Sequence, residues 1–442
     1  MKIRISDSFN LKKTLEFTLP SIVMCVFTSI YGVVDGFFVS NVVGKTAFSA
    51  VNFIMPVLML MGCLGFMFGT GGSALVSKTM GEGDYEKANG YFSLIVYANL
   101  ILGVIIAVLG FIFLEPIAKL LRAGDLLEDC LIYGRIIILA VPFYMTQYAF
   151  QAFFVTANKP GLGLTVTVIS GVTNMVLDAL FMAVFKWGLI GAASATAISQ
   201  FVGGIIPLVY FFSKNSSLLR LGRTKFETKV LLKTCGNGSS EVMTNISMSL
   251  VNILYNVQLM KFAGNDGVAA YGVLMYVNMI FLSVYLGYST GIAPVIGYNY
   301  GAKNEKELKG LFKRSLLIIC VSAVFMFGLA ELLATPLSKL FVGYDKELMA
   351  LTKRGFFIFS FAFLFNGFSI FGSAFFTALS DGLVSALISF LRFAFFQTVC
   401  ILIFPILLKT DGIWLSIAVA EFSAAIMTAG FLIAKRKKYN YI

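Results

Sequence analysis

Twelve long apolar segments, separated by short polar connections, constrain the fold of this chain more than any other feature. A helix that crosses a bilayer needs about 20 mostly apolar residues, connections excluded. The 442 residues are 58% hydrophobic and only 13% charged. The sequence therefore predicts an all-α integral membrane protein with twelve transmembrane helices and no large soluble domain. The predicted spans are 15–40, 47–77, 89–114, 127–156, 161–185, 189–213, 230–260, 266–298, 309–334, 347–377, 382–407 and 411–434.

Basic residues are concentrated in the connections on one side of these spans. With the N-terminus placed inside, the inner segments hold 22 Lys and Arg residues and the outer segments hold 10, with Arg135 and Arg392 inside helices. This bias predicts that both termini lie in the cytoplasm. The basic runs 214–229 and 435–438 are typical of anchors for an anionic lipid leaflet, so we expect contact with the bilayer and none with nucleic acid.

The residue types that carry most cofactor chemistry are absent or scattered. The chain has no His, and its six Cys residues include no Cys-x-x-Cys pair. It also has no Gly-x-x-x-x-Gly-Lys-Ser/Thr loop for the phosphates of ATP. We therefore expect no cofactor and no enzymatic activity, and any pumping must draw on something other than ATP hydrolysis by this chain.

The chain repeats itself at an offset of 220 residues, which becomes 221 after one gap. The offset pairs, for example, Gly81 with Gly301. Each half holds six spans, and because six is even, both halves enter the membrane from the same side as parallel repeats. We predict an N-terminal six-helix bundle at 1–213, a cytoplasmic linker at 214–228 and a C-terminal six-helix bundle at 229–442. This plan is typical of transporters, with a substrate in a cleft between the halves.

Two carboxylates are predicted at a similar depth within the N-terminal half. A charged side chain at the centre of a spanning helix costs on the order of 3 kcal/mol, so each needs a partner, a proton or a cavity. Tyr31 lies four residues before Asp35, and Asn174 lies four before Asp178, so each pair shares one helix face. Thr196 can join them from span 6. Two carboxylates in a low-dielectric pocket cannot both stay ionised at low cost, so we expect proton uptake or a cation between them.

Arg392 and Glu421 fall at mid-depth on adjacent spans of the C-terminal half. We interpret them as a buried ion pair, since the loss of one partner would leave an uncompensated charge. Glu241 stands alone on span 7. Pro20 removes a backbone hydrogen bond from span 1 and allows that helix to kink.

Several motifs resemble the multidrug and toxic compound extrusion (MATE) transporters, over nearly the whole chain. They include YGVVDGFFVS at 31–40, AVNFIMP at 50–56, NMVLD at 174–178, GLIGAASAT at 188–196 and GIW at 412–414. The similarity is greatest to the bacterial branch with an acidic pair in the N-terminal lobe. It implies two six-helix bundles around a V-shaped cleft, with inward flow of H⁺ or Na⁺ driving the export of bulky, often cationic and aromatic compounds. It also implies a functional monomer in the bacterial cytoplasmic membrane.

The same resemblance implies roles for particular residues. In relatives with this acidic pair, helix 1 bends when the coupling site is protonated, and the matching positions here are Pro20, Tyr31, Asp35, Tyr133, Asn174, Asp178 and Thr196. Any Na⁺ bound there would have Asp35, Asn174, Asp178 and Thr196 as its neighbours. Gln151 stands where relatives can carry Asn. Span 10 lacks the acid that some relatives use for a second sodium site, so Glu241 is a candidate for binding a cationic substrate or for conformational coupling.

The sequence is less typical of two other classes of function, a lipid flippase and a membrane enzyme or scaffold. A flippase for a lipid-linked saccharide would favour a strongly cationic cleft, but Arg392 and Arg135 are the only basic residues placed at mid-span. An integral-membrane enzyme or a scaffold without transport is the other class. An enzyme would have only the two deep carboxylates as catalytic groups, and a six-plus-six repeat is more typical of a pathway than of one catalytic pocket.

Overall fold

The computed structural model describes residues 3–121 and 123–442, and nearly all of them are helical. Nine helical stretches of the described residues are long and apolar enough to cross a membrane. Two of these, Thr228–Gly301 and the stretch that ends at Tyr439, are each broken once by a residue with positive φ, at Gly264 and Lys409. Counting the broken parts separately and adding the helix Leu127–Thr156 gives the predicted twelve.

The helices are numbered α1 to α12 in chain order. Three of them have π-helical turns. α1 continues into one at Val39–Val43 and α5 into one at Ala179–Val184, and α11 contains one at Leu391–Gln397. The bounds are α1 Leu11–Phe38, α2 Lys45–Gly81, α3 Tyr85–Leu120, α4 Leu127–Thr156, α5 Pro160–Asp178, α6 Gly188–Phe212, α7 228–263, α8 265–301, α9 Glu305–Val342, α10 Lys346–Ala378, α11 382–408 and α12 410–439.

Both chain ends lie on one face of the helix bundle, which we call the terminal face. The backbone N–H of Ile5 donates to Asn158 Oδ1 at 2.9 Å, in the turn between α4 and α5. The N–H of Phe9 donates to Glu307 Oε1 at 3.0 Å, at the start of α9. Asn440 donates to Glu305 Oε1 at 3.0 Å. The N-terminal segment thus joins a turn of the first half to a helix of the second.

In the sequence, the connections 81–90 and 301–310 each open with Gly after a long span and carry mixed charges, which predicts short surface helices, but the structure has no separate helix in either one. Each is a tight turn that leads directly into the next long helix. Asp84 caps α3 by accepting a hydrogen bond from the N–H of Lys87, and Asn304 caps α9 in the same way from the N–H of Glu307. A polar cap at these positions starts the next helix at once and leaves no chain for a separate one.

The linker between the halves is not helical and follows the first half closely. Residues 214–227 run between α6 and α7. The N–H of Arg220 donates to Asn89 Oδ1 at 2.7 Å, and the Thr224 hydroxyl donates to the carbonyl of Gly90 at 2.8 Å. Leu219 and Leu221 are buried beside them. The segment is therefore held against α3.

The halves meet through contacts that obey the internal repeat. A Cβ added to Gly81 would lie 2.0 Å from the carbonyl oxygen of Tyr298, and one added to Gly301 would lie 2.0 Å from that of Lys78. Adding 220 to Gly81 and subtracting 220 from Tyr298 gives Gly301 and Lys78, so the repeat converts one contact into the other. The ends of α2 and α8 therefore cross on a pseudo-two-fold axis, where only glycine permits such close approach.

A second symmetric pair of contacts lies deeper along the same helices. A Cβ on Gly71 of α2 would lie 2.6 Å from the backbone nitrogen of Gly238 in α7. The matching Gly291 of α8 comes within 3.1 Å of Thr18 in α1, measured in the same way to Cβ of Thr18. These contacts lie in the parts of the four helices nearest the terminal face, so the halves are joined there.

The helices α3 and α9, which match each other in the repeat, form part of the outer surface. Ile101 and Ile112 of α3 are exposed, as are Val321 and Val324 of α9. Apolar side chains on the outside of long helices suit a hydrocarbon environment and not water. The chain is thus a multi-pass membrane protein.

Candidate functional site

The structure brings Asp35 and Asp178 together within the first half. Asp35 lies near the end of α1 and Asp178 is the last α-helical residue of α5. The two carboxyl groups are neighbours, and the Thr196 hydroxyl on α6 is a neighbour of Asp35. Asp178 is completely buried, and neither of its carboxyl oxygens has a geometrically well-formed hydrogen bond in the described residues.

Both acidic helices change their winding at this level. α5 becomes π-helical immediately after Asp178, and α1 does so four residues after Asp35. The two π-helical turns contact each other. A π-helical turn widens the helix and is common at functional sites, because it releases a carbonyl from the regular ladder. The backbone next to the two carboxylates is therefore less tightly held than the rest of the bundle.

A cavity of about 250 Å³ opens beside these acids. Its wall contains Asp35 and Tyr31 from α1, Asn174 from α5 and Thr196 from α6. Met279 of α8 also lines it, so the second half reaches this cavity. The volume would hold roughly eight water molecules at about 30 Å³ each.

A chain of polar contacts supports the cavity from α5 and α6. The amide nitrogen of Asn174 lies 3.5 Å from Thr196 Oγ1, the long limit of a hydrogen bond. One turn earlier, the Ser170 hydroxyl donates to the carbonyl of Ser199 at 2.7 Å, and Gln147 donates to Ser170 Oγ at 3.2 Å. Within the described ranges, the Asn174 side-chain oxygen has no hydrogen-bond partner. The amide oxygen is thus available to a ligand of the cavity.

The α4 side of the cavity is formed by tyrosines. Tyr133 is buried, and its hydroxyl has no hydrogen-bond partner in the part of the chain that the structure describes. Tyr144 and Tyr148 also line the cavity, with ring centroids 4.6 Å apart in an edge-on arrangement. Sequence reasoning missed these two residues, although helical spacing from Tyr133 places all three on one face of α4.

Gln200 is a further residue that sequence reasoning missed. Gln200 lines the cavity, and its buried amide oxygen has no hydrogen-bond partner among the described residues. It lies four residues after Thr196 on α6, so the spacing that joins Tyr31 to Asp35 would have found it.

Tyr31 is positioned by a close approach of α1 and α5. A Cβ on Gly171 would lie 2.5 Å from the Phe27 ring and 3.0 Å from the Tyr31 ring. The absence of a side chain at Gly171 therefore lets both rings lie against α5, which sets where Tyr31 enters the cavity.

Two of the proposed coupling residues lie elsewhere. Pro20 is in α1 between Thr18 and Ile22, which contact α8 at Gly291 and Gly287, and α1 continues through it as one helix. Fifteen residues of helix separate Pro20 from Asp35, or about 22 Å. Gln151 is buried in α4, and neither the cavity beside the acids nor the one described next includes it in its wall.

The second half contains the buried ion pair that the sequence suggested. Arg392 Nε donates to both carboxyl oxygens of Glu421, at 3.0 and 2.8 Å. Gln397 donates to Glu421 Oε1 at 3.1 Å. Arg392 and Glu421 are 5% and 2% exposed. Arg392 and Glu241 also line a smaller cavity of about 90 Å³ between the halves. Glu241 has no ion-pair partner among the described residues.

The oxygen atoms around Asp35 and Asp178 can hold a proton or a hard cation. Carboxylate, amide and hydroxyl oxygens are the ligands that such cations prefer. No group of three or more His, Cys, Asp or Glu residues occurs within the described ranges, so a site for a transition metal is not formed there. The site thus combines two neighbouring acids, Asp35 in the wall of the cavity and Asp178 buried behind it, with several oxygen atoms that have no partner among the described residues.

Comparison with known proteins agrees with this architecture. The MatE family model matches the chain twice, at 20–180 and at 242–404, once in each half. The multidrug export protein MepA of Staphylococcus haemolyticus is 27% identical over 321 residues, which cover 72% of this chain and 70% of that protein. The MepA of Staphylococcus saprophyticus is 26% identical and is covered to 80%, as is this chain.

Solved structures share the fold over almost the full length. An outward-facing multidrug resistance MATE family transporter of the MOP superfamily matches with a TM-score of 0.91 at 21% identity, covering 98% of this chain and 97% of that one. A MOP superfamily transporter from Pyrococcus furiosus, described by the reverse polarity of its binding pocket, matches with a TM-score of 0.90 at 21% identity, covering 97% of both chains. These matches confirm the twelve-helix fold with two six-helix repeats and a V-shaped cleft.

Proposed function

Because the chain belongs to the multidrug and toxic compound extrusion (MATE) family of membrane transporters, which are not enzymes, we propose that it is a cation-coupled antiporter that exports organic compounds. The observation that carries this proposal is that Asp35, in the wall of the cavity, has the buried Asp178 as its neighbour. The likeness to MepA proteins, which are named for multidrug export, supports the substrate class.

The coupling step follows from electrostatics. Two neighbouring carboxylates buried in a low-dielectric part of the bundle cannot both carry a charge at low cost. A proton or Na⁺ that enters the cavity relieves this repulsion, and its departure restores it. The π-helical turns that follow Asp35 and Asp178 give the backbone a place to respond. Ion binding is thereby linked to the shape of α1 and α5, and Asn174 and Thr196 supply further oxygen atoms.

Transport requires the cleft to open on each side of the membrane in turn. The halves are joined at the terminal face by the Gly81–Gly301 crossing, so the substrate must leave from the opposite face in this state. The distribution of Lys and Arg supports a cytoplasmic terminal face. Export by a single chain across the bacterial cytoplasmic membrane then requires that this crossing separate when substrate is loaded.

The lining of the cavity suits organic cations with flat rings. Tyrosine faces attract cations, and thioether side chains adapt to different shapes. Tyr144 and Tyr148 of the first half provide the rings. Met55, Met59 and Met279 provide thioethers from both halves. Glu241 in the smaller cavity adds a carboxylate that can attract a cationic substrate.

The test is efflux of the cationic dye rhodamine 123 from bacterial cells that express each variant at equal membrane levels. We expect wild-type efflux to stop when the H⁺ or Na⁺ gradient is collapsed, which also identifies the coupling ion. Asp35→Asn and Asp178→Asn should abolish efflux, because neither leaves a pair of carboxylates. Asp125→Asn, which changes an exposed acid, is the matched control. Wild-type efflux by Asp178→Asn would contradict the proposal.

The described residues offer little support for a lipid-linked saccharide flippase. Arg135 lies 3.6 Å from Glu115, and Arg392 is bonded to Glu421. Each of these two guanidinium groups therefore has a carboxylate beside it. Arg135 lies in the first half and Arg392 in the second. The cationic cluster that a pyrophosphate group would require is not formed within these ranges.

A further inference from the structure

We propose that the smaller cavity is a subsite for an anionic group, held by Arg392, and that the transporter therefore favours zwitterionic substrates with a carboxylate as well as a cationic group. This inference rests on the proposed function and names a substrate class for it. The geometry of the Arg392 guanidinium carries it.

Within the described residues, the Arg392 guanidinium forms hydrogen bonds through Nε alone. Both hydrogen bonds to Glu421 come from Nε, and the two terminal nitrogens form none with the described residues. The Phe393 ring lies beside the group, with its centroid 4.6 Å from Cζ. Arg392 is one of the residues that line the cavity, and its terminal nitrogens are donors that no described residue uses.

Glu421 does not depend on those nitrogens. Gln397 already donates to Oε1, and the Asn366 amide lies 3.2 Å from Oε2, where its nitrogen can donate. With Arg392 Nε, the carboxylate has donors on both oxygens from three side chains. An arrangement built only to neutralise charge would use the paired, two-nitrogen contact that Arg forms with carboxylates. Here Nε alone contacts Glu421, and the two terminal nitrogens stay free of hydrogen bonds to the described residues.

The opposite wall of the cavity contains a second unpartnered group. Ser289 of α8 is 4% exposed, and its hydroxyl forms no hydrogen bond in the described structure. A buried hydroxyl without a partner costs free energy, which a bound ligand or water would recover. Ser373 and Ser389, which hydrogen-bond to each other at 3.2 Å, add further hydroxyl groups to the wall.

Glu241 gives the cavity its selectivity for zwitterions over simple anions. It lines the same cavity from α7, but it is not within ion-pair distance of Arg392. A ligand with only negative charge would be repelled by Glu241. A ligand with both charges can place its anionic group near Arg392 and its cationic group near Glu241. The cavity of about 90 Å³ has room for roughly three water molecules, so it accepts the charged end of a substrate. The aromatic body would remain in the wider cleft.

The test uses two dyes that differ at one group. Rhodamine 110 has a free carboxylate, and rhodamine 123 is its methyl ester, so the second is a plain cation. Binding of each to the purified protein in lipid nanodiscs is measured by fluorescence anisotropy. The variant is Arg392→Gln with Glu421→Gln, which removes both charges together. The control is Arg354→Gln with Asp411→Asn, an exposed ion pair between α10 and α12.

We expect the wild type and the control to bind rhodamine 110 more tightly than rhodamine 123. In the Arg392→Gln/Glu421→Gln variant the preference should fall about 10-fold or more, as expected for a lost hydrogen bond to a charged group. If that variant does not fold, Arg392→Lys keeps the charge but not the two-nitrogen contact, and should lower the preference as well. An unchanged preference in a folded variant overturns the inference. Failure of the wild type to bind either dye contradicts the proposed function itself.

Discussion

Alanine at the crossing of α2 and α8 should push the protein towards a state that is open at the terminal face. The Cβ of Gly81→Ala would lie 2.0 Å from the Tyr298 carbonyl oxygen, and that of Gly301→Ala would lie 2.0 Å from the Lys78 oxygen. Ordinary van der Waals contact begins near 3.4 Å. The obstacle is backbone, which cannot rotate away as a side chain can, so the helices must separate.

Overpacking of this kind costs about 1–3 kcal/mol. The cost applies only where the helices cross closely, so it shifts the equilibrium between the joined and the separated terminal face by about 5- to 150-fold. Each variant alone should produce the effect, because the two contacts are equivalent. The two alanines together should shift the equilibrium further than either one.

The shift can be measured as a distance between spin labels by pulsed electron resonance. Glu86 and Lys306 are exposed on the terminal face, in matching positions of the two halves, and suit labelling after the native cysteines are replaced. We expect the long-distance population to grow in Gly81→Ala and Gly301→Ala. Gly236→Ala is the control, because a Cβ on this helical glycine near the same face meets nothing within 4 Å. Distances that match the control in both variants would refute the reasoning.

Three further perturbations test other parts of the structure. Glu307→Gln removes the charge that accepts hydrogen bonds from the Phe9 N–H and from the partly buried Arg314, and should lower the free energy of unfolding in detergent by about 1.5–3 kcal/mol, measured by denaturation. Gly171→Ala should slow dye efflux by displacing the Tyr31 ring, whereas Gly161→Ala on the same helix, where a Cβ meets nothing within 4 Å, should not; equal rates would contradict this. Glu421→Gln should destabilise the protein by about 3–5 kcal/mol, because it leaves a buried guanidinium uncompensated. Asp411→Asn, in an exposed pair, should cost less than about 1 kcal/mol, and similar losses in thermal denaturation would argue against the burial argument.

The number and order of the helices followed from the sequence, because a spanning helix leaves a long apolar run and the repeat checks each run against its partner. The failure at 81–90 and 301–310 has a local cause. Glycine after a long span, followed by mixed charges, predicts the start of a short surface helix, whereas Asp84 and Asn304 cap the next long helix at once.

The candidate site was only partly predictable. Four-residue spacing placed Tyr31 beside Asp35 and Asn174 beside Asp178, because a helix face follows from backbone geometry alone. Tyr144 and Tyr148 share a face of α4 with Tyr133, but that this face lines the cavity follows from the packing of α4 against α2, which the spacing within α4 does not report. The roles of these residues in coupling stay a prediction.

The sequence also could not predict that the two terminal nitrogens of Arg392 form no hydrogen bonds with the described residues. The similar membrane depth and the opposite charges of Arg392 and Glu421 predicted an ion pair, and the structure has that pair. Which nitrogen makes the bond depends on the side-chain torsions and on where Gln397 and Asn366 lie. These are properties of the packed second half, and no pattern of residues in one span contains them.

The crossing of Gly81 and Gly301 has the form of an interface between identical subunits. Each half presents the same residue to the other, as the two copies do in a dimer with a closed two-fold axis. A six-helix unit able to meet its own copy in this way would be complete as a homodimer, but every side chain in it would occur twice. Joining two copies in one chain lifts that constraint. Asp35 and Asp178 then occupy one half, Arg392 and Glu421 occupy the other, and one symmetric scaffold supports two unlike pockets.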